Sequence, residues 1–216
     1  RRRQRQMCIR DRYSFDFFPD YAYLATYLFA AIIQIINFLI LIFINIKKPI
    51  PSKKINRPLG DVLLQKNLII AILAAAVGYS LMSFIMTATP LQIVNVCKLG
   101  DSASATVIQW HVIAMFAPSF FTGTIINSLG NRKVMMIGLF LYAFSISFTI
   151  IGQTIEHFWI ALFLCGLGWN FLYVGGSDII AKSALPEERA KVQGVTDFII
   201  FVFVATGSFL AGALHS

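Results

Sequence analysis

Long apolar runs separated by short polar stretches organise this chain. The runs cover Tyr21 to Ile46, Leu68 to Pro90, Ala103 to Ile126, Val134 to Ile151, Phe158 to Ile180 and Val195 to Leu214. Each is close to the roughly 20 residues that carry a helix across a bilayer. The pattern predicts an all-α fold, a polytopic transmembrane helix bundle of about six spans. The polar intervals alternate in charge. Lys47, Lys48, Lys53, Lys54, Arg57 and Lys66 fill the first connection, Arg132 and Lys133 the third, and Lys182, Arg189 and Lys191 the fifth. The second carries Lys98 beside Asp101, and the fourth has neither Lys nor Arg. Loops rich in Lys and Arg stay on the cytoplasmic side, so the first, third and fifth connections are expected to face inward.

Composition agrees with burial in lipid, since 57% of the residues are hydrophobic and the mean hydropathy is +0.73, above what soluble domains carry. The net charge of +8 does not point to nucleic acid. It resides in the inward loops and in Arg1, Arg2, Arg3, Arg5, Arg10 and Arg12, leaving no basic face for phosphates. Those arginines conflict with the topology, which puts residues before Tyr21 outside, where a dense cationic run resists placement. Residues 1–12 are therefore expected to be a non-native leader. Cys8, Cys97 and Cys165 show no metal-ligand or redox spacing and read as small apolar fillers.

Residues 47–66 hold Pro49, Pro51, Pro58 and Gly60 among the lysines, the composition of a basic cytoplasmic linker. It divides a first span, residues 13–46, from a bundle in residues 67–216. In the fifth connection, Leu185-Pro186-Glu187-Glu188-Arg189 reads as a helix start, with proline first and acids in the first turn. Asp197 then falls roughly 15 Å along that last helix.

Polar groups inside spans are the candidates for function, because lipid offers them no partner. Ser80, Ser83 and Thr87 recur at helical spacing in the second span, and His111, Ser119 and Thr122 in the third. The fifth places Gly166, Asn170, Tyr173 and Ser177 on one stripe, with Trp169 beside it. In the fourth, Tyr142, Ser145 and Thr149 are hydroxyls of the kind that can satisfy themselves on their own helix, so that span reads as lipid-facing. His111 either meets a ligand or proton or makes a helix-to-helix hydrogen bond. Asn170 and Trp169 have the same two readings, and Gln34 and Asn37 fit interhelical bonding. Asp178 stands four residues before Lys182, the spacing of an ordinary helical ion pair, and Asp197 can complement the start of its helix. Pro90, Pro118, Gly78, Gly123, Gly166 and Gly168 supply bends and close helix approaches. The chain has no GxxxxGK[ST] phosphate loop, HExxH helix or GxSxG elbow, and His111, His157 and His215 are far apart. No enzyme, metal site or cofactor is expected.

Two inner connections carry a more specific signal. Gly123-Thr-Ile-Ile-Asn127-Ser-Leu-Gly130-Asn-Arg132-Lys133 and Pro186-Glu-Glu-Arg189-Ala-Lys-Val-Gln-Gly194 resemble the inner-loop motifs of major facilitator superfamily transporters, although Asn127 stands where that family usually has Asp. The resemblance covers nearly all of the chain after Arg12. It implies that Tyr21 to Ile46 matches the sixth of twelve helices and the later spans match the seventh to eleventh. On that reading the amino-terminal half is missing and the chain is a fragment that does not transport alone. It further implies that the helices with Thr87, His111, Trp169, Asn170 and Asp197 border the substrate pathway, and that the fourth span is peripheral. Asp178, Arg132 and Arg189 would latch one conformation on the inner surface, with Gly123 and Gly130 permitting the tight turn. The expected function is secondary transport of a small organic solute across a bacterial-type plasma (inner) membrane by alternating access, driven by a proton, another ion or a solute gradient. The alternative is a membrane scaffold or receptor-like subunit that binds a partner protein. A twelve-helix reading frame favours the transporter, and a complete six-helix gene the subunit.

Overall fold

The computed structural model describes residues 24–44 and 58–215. The arginine-rich leader, residues 1–12, and the basic stretch 47–57 lie outside them. The chain divides into two units, Arg1–Lys53 and Lys54–Ser216. In the first, α1 is the helix Leu24–Phe43, which carries Gln34 and Asn37.

The second unit opens with a short helix, α2 (Leu59–Leu63), preceded by Pro58. Val62 is 1% exposed there and joins the hydrophobic core, so this end of the basic interval is anchored to the bundle. Five further elements follow: α3 (Lys66–Leu91), α4 (Asp101–Phe116), α5 (Ser119–Leu129), α6 (Asn131–Ile151) and α7 (Ile155–Ser183). The last is α8 (Arg189–His215). Among the described residues, α3 with its following turn, α6, α7 and α8 are each long and apolar enough to cross a membrane, and the bent pair α4 and α5 reaches that length and apolarity taken together.

Prolines explain where these helices depart from the uninterrupted runs. Pro118 lacks an N–H and its ring crowds the preceding turn, and the axis bends by 44° between α4 and α5. The run Ala103 to Ile126, expected as one span with a bend at Pro118, is therefore two helices. Pro90 lies inside α3, and directly after it Gln92–Val96 widens into a π-helical turn closed by Cys97 N–H to the Gln92 carbonyl at 2.9 Å. In the fifth connection α8 begins at Arg189, one turn after Pro186, with the Arg189 N–H bonded to the Leu185 carbonyl.

Helix α7 is the centre of the bundle and packs against α3, α4 and α6, while α8 packs along α3. Glycines let these backbones approach. A Cβ on Gly166 would lie 2.6 Å from the His111 carbonyl oxygen, and one on Gly168 would meet the Gly138 carbonyl oxygen at 3.0 Å. At one end Val62, Leu68, Ala71, Ile180, Ala184 and Val192 form a core cluster. At the other, Ile93, Val107, Phe158 and Leu162 close the bundle, flanked by Trp110 and Trp159, whose rings meet edge to face at 5.7 Å. Lys66, Lys182 and Arg189 belong to the first end by their helix positions, the end that the charge pattern places inward. The outward faces of α6 and α8 carry Phe140, Phe144, Phe198 and Phe209, all exposed. An apolar surface of that kind suits acyl chains rather than water.

Two of the α6 hydroxyls, Tyr142 and Ser145, do not turn back on their own helix as expected. Tyr142 donates to the Gly78 carbonyl at 2.6 Å and Ser145 to the Ala161 carbonyl at 2.7 Å, both buried. Of the three, Thr149 bonds locally, to the Ile146 carbonyl. The fourth span thus has one bonded face toward α3 and α7 and one apolar face outward.

Candidate functional site

Polar side chains inside the spans sort into three groups. The first is a seam between α4, α5 and α7 built on Asn170, which is fully buried. Its amide Nδ2 donates to the Met115 carbonyl (2.7 Å) and to Ser119 Oγ (2.6 Å), and its Oδ1 accepts from Thr122 Oγ1 (2.6 Å). The bend at Pro118 makes this possible by turning the Met115 carbonyl, Ser119 and Thr122 toward one side chain. These bonds engage both ends of the amide, so Asn170 acts as an interhelical tie. His111, also fully buried, donates from Nδ1 to the Leu162 carbonyl at 2.7 Å. A carbonyl can only accept, so Nδ1 carries the proton, and Nε2 has no partner among the described residues.

The second group joins α3 to α8. Ser80 donates to the Phe203 carbonyl at 2.8 Å, and the Ser83 and Ser208 hydroxyls meet at 2.6 Å. Thr87, half-buried, returns its hydroxyl to the Ser83 carbonyl of its own helix.

The third group is aromatic and lies at mid-depth. Trp169 stands at the midpoint of α7, Tyr79 and Phe201 near the midpoints of α3 and α8, and Phe116 at the bend between α4 and α5. Trp169 and Tyr173 stack at 4.9 Å with planes 9° apart. Tyr79 sets its ring edge-on to both at 5.4 Å. Phe201 and Phe116 complete the cluster against Tyr79 (5.9 Å) and Trp169 (6.0 Å). Tyr79 and Tyr173 are half-buried, whereas Trp169 is 6% exposed and its Nε1–H has no acceptor among the described residues. Asp197 of α8 and Ser177 are polar neighbours of the Tyr173 hydroxyl. Asp197 is half-exposed, accepts from Gln193 Nε2 at 2.7 Å, and lies two turns into its helix, beyond the reach of the helix-start dipole.

Among the pathway candidates, the structure brings Trp169 and Asp197 to one surface and places Asn170, His111 and Thr87 on helix seams. Tyr79, Phe116 and Phe201 were not singled out beforehand. Tyr79 carried a signal, being one turn before Ser83 on the stripe that continues to Thr87. Phe116 and Phe201 carried none, among 20 phenylalanines.

At the inner end, Asp178 Oδ2 accepts from Lys182 Nζ (2.6 Å) and from Asn131 Nδ2 (2.8 Å). The second bond ties the α5–α6 turn to α7. Arg132 and Arg189 are exposed, and among the described residues neither forms an ion pair with Asp178. Gly130 has φ +82°, which a residue with a side chain rarely adopts, and so permits the turn into α6. Gly123 is helical with open space around it, and Asn127 is exposed on α5. Glu188, 8% exposed, has neither carboxylate oxygen bonded among the described residues.

Membrane-length helices tied by buried side-chain bonds, with an aromatic and acidic surface at mid-depth, define an integral, multi-pass α-helical membrane protein. Among the described residues no group of His, Cys, Asp and Glu is arranged to hold a metal ion. The chain belongs to the Major Facilitator Superfamily, whose family model matches residues 68–216. A riboflavin transporter, RfnT, of Brucella anthropi is 40% identical over 206 residues, 93% of this chain and 52% of that protein. An uncharacterised MFS-type transporter of Bacillus subtilis, YdeG, is 34% identical over 69% of this chain and 35% of its own length. A multidrug resistance protein, MdtL, of Shewanella oneidensis is 24% identical over 62% of this chain. The chain thus spans about half the length of the riboflavin transporter and about a third of YdeG. No solved structure matches it. These relatives are named as transport or resistance proteins, and the family is one of transporters rather than enzymes.

Proposed function

We propose that the intact protein is a secondary transporter that carries a small organic solute by alternating access, with this chain forming one of two helix bundles around the pathway. The observation that carries this reading is the mid-depth cluster of Tyr79, Trp169 and Tyr173 with Asp197 on its inner side, because transporters of this architecture bind at the membrane midplane. A carboxylate at that depth in a span is costly to keep in lipid and fits a water-accessible path. Asp197 is the group assigned to a coupling proton or ion, and a gradient supplies the energy. The bacterial relatives support a bacterial inner membrane as the location. At the inner end, the Asp178 contacts with Asn131 and Lys182, and Glu188, which has no partner among the described residues, are the groups that exchange partners as the bundles rock, with Arg132 and Arg189 as the cations within the same motifs.

The name of the Brucella relative makes riboflavin the first solute to test. In the experiment, vesicles reconstituted with the intact protein receive an imposed pH gradient and a panel of labelled solutes led by riboflavin. Saturable accumulation that Asp197→Asn abolishes while exchange persists is the expected result. No saturable flux of any solute, in either mode, would sink the reading.

A further inference from the structure

We propose that Tyr79, Trp169 and Tyr173 form a stacking site for a planar heteroaromatic solute, which lies on the aromatic surface and accepts a hydrogen bond from the Trp169 indole N–H; the proposal rests on the transporter reading above.

Three observations carry it. First, the cluster gathers rings from four helices of the bundle at the midpoints of their spans. A core packed for stability alone has no reason to collect its aromatics at one depth. Second, the rings are layered. Trp169 and Tyr173 are parallel within 9°, so a flat ring laid on the Tyr173 face beside the indole shares the indole plane, in which the N–H points, while Tyr79 offers the edge that aromatic faces also favour. The two outlying rings, Phe116 and Phe201, are 57% and 55% exposed, and Tyr79 and Tyr173 are half-buried, so the cluster is not sealed inside the bundle. Third, Trp169 is buried yet its Nε1–H is unbonded among the described residues. An indole nitrogen is a donor only, and buried donors in native proteins ordinarily have acceptors. A ring carbonyl or ring nitrogen of a bound solute supplies one. Asp197, near the Tyr173 hydroxyl, adds an acceptor for a donor on the solute rim.

The chemistry selects a neutral, flat, fused-ring solute with acceptors and a donor on its edge. An organic cation would be held differently, with several ring faces turned on one centre. Here the Trp169 and Tyr173 faces are turned on each other.

The test uses the intact protein in lipid nanodiscs with riboflavin as the probe, since the flavin emission is quenched when its ring stacks on Trp or Tyr. Wild type should quench saturably. Tyr173→Leu should weaken binding about tenfold or more, the scale of losing one aromatic stacking partner. Tyr173→Phe, which keeps the ring, should stay within about twofold of wild type. Trp169→Phe keeps a ring but removes the donor, and should weaken binding several-fold. Phe209→Leu, on a 74% exposed outward position, should leave quenching unchanged. Thermal melts run beside each variant, and a loss of binding in Tyr173→Leu without rescue in Tyr173→Phe would overturn the stacking role. The proposal is also overturned if wild type quenches neither riboflavin nor lumichrome, a second planar and neutral probe. Equal competition by non-planar tetraphenylphosphonium would do the same. These failures differ from failure of the transporter reading, in which the wild-type protein moves no solute in vesicles.

Discussion

Replacing Asn170 with alanine separates a structural tie from a solute contact. The side chain takes part in three hydrogen bonds, with the Met115 carbonyl, Ser119 and Thr122, and is fully buried. Side-chain bonds between membrane helices average about 0.6 kcal/mol each, because the unfolded helices also find partners in lipid, so the three together come to about 2 kcal/mol. The abandoned groups do not raise the figure much. The single Thr122 hydroxyl proton, given to Asn170 in the wild type, turns to the Pro118 carbonyl at 2.8 Å when the amide is gone, and Ser119 is exposed. The assay is reversible unfolding in mixed micelles titrated with dodecyl sulfate, read by tryptophan fluorescence, with Trp169 adjacent in sequence as reporter. Thr122→Val alone should lose about 0.6 kcal/mol, and the double variant should be less destabilised than the two single effects added. If Asn170→Ala changed stability by less than about 0.3 kcal/mol while abolishing solute exchange, Asn170 would be a substrate ligand and the tie would be the wrong account.

Other substitutions probe the packing and the topology. Gly166→Val drives a side chain into the His111 carbonyl, whose backbone cannot yield without moving α4, and should destabilise by about 1–3 kcal/mol, seen as a lower melting temperature and a smaller monodisperse fraction in size-exclusion chromatography. Gly123→Ala meets nothing within 4 Å and should instead stabilise α5 by up to about 1 kcal/mol through helix propensity; a clear loss of melting temperature would show an unseen neighbour. Tyr142→Phe keeps the ring and removes the bond to the Gly78 carbonyl, so unfolding should become easier by roughly 0.6–1.7 kcal/mol, and an unchanged value would mean that this bond contributes nothing. In a Cys8→Ser, Cys97→Ser background, where the remaining Cys165 is buried, cysteines introduced at Asn127 and Glu187 should react with a membrane-impermeant maleimide from one face and a cysteine at Gln153 from the other. Asn127 and Glu187 labelling from opposite faces would break the orientation drawn from the lysines and arginines.

Residue order alone determined the membrane and the all-α, multi-pass architecture, and it set the expected orientation that the labelling tests. Each of these depends on local sums: twenty apolar residues in succession, a proline without its N–H, cations clustered in alternate loops. The inner-loop motifs likewise pointed to the family before any packing was known. Partnership is different in kind. Tyr142 and Ser145 had hydroxyls that could have closed on their own helix, and only the approach of α6 to α3 and α7 directed them across. Asn170, His111 and Trp169 looked alike as polar groups in spans. Tertiary structure gave Asn170 partners at both ends of its amide and His111 a carbonyl at Nδ1, while among the described residues it left the Trp169 N–H unbonded beside Tyr79, 90 residues earlier in the chain. The reason is that helical periodicity names a face but not what that face meets, and what it meets is set by close approaches, such as Gly166 on α4, that join segments far apart along the chain.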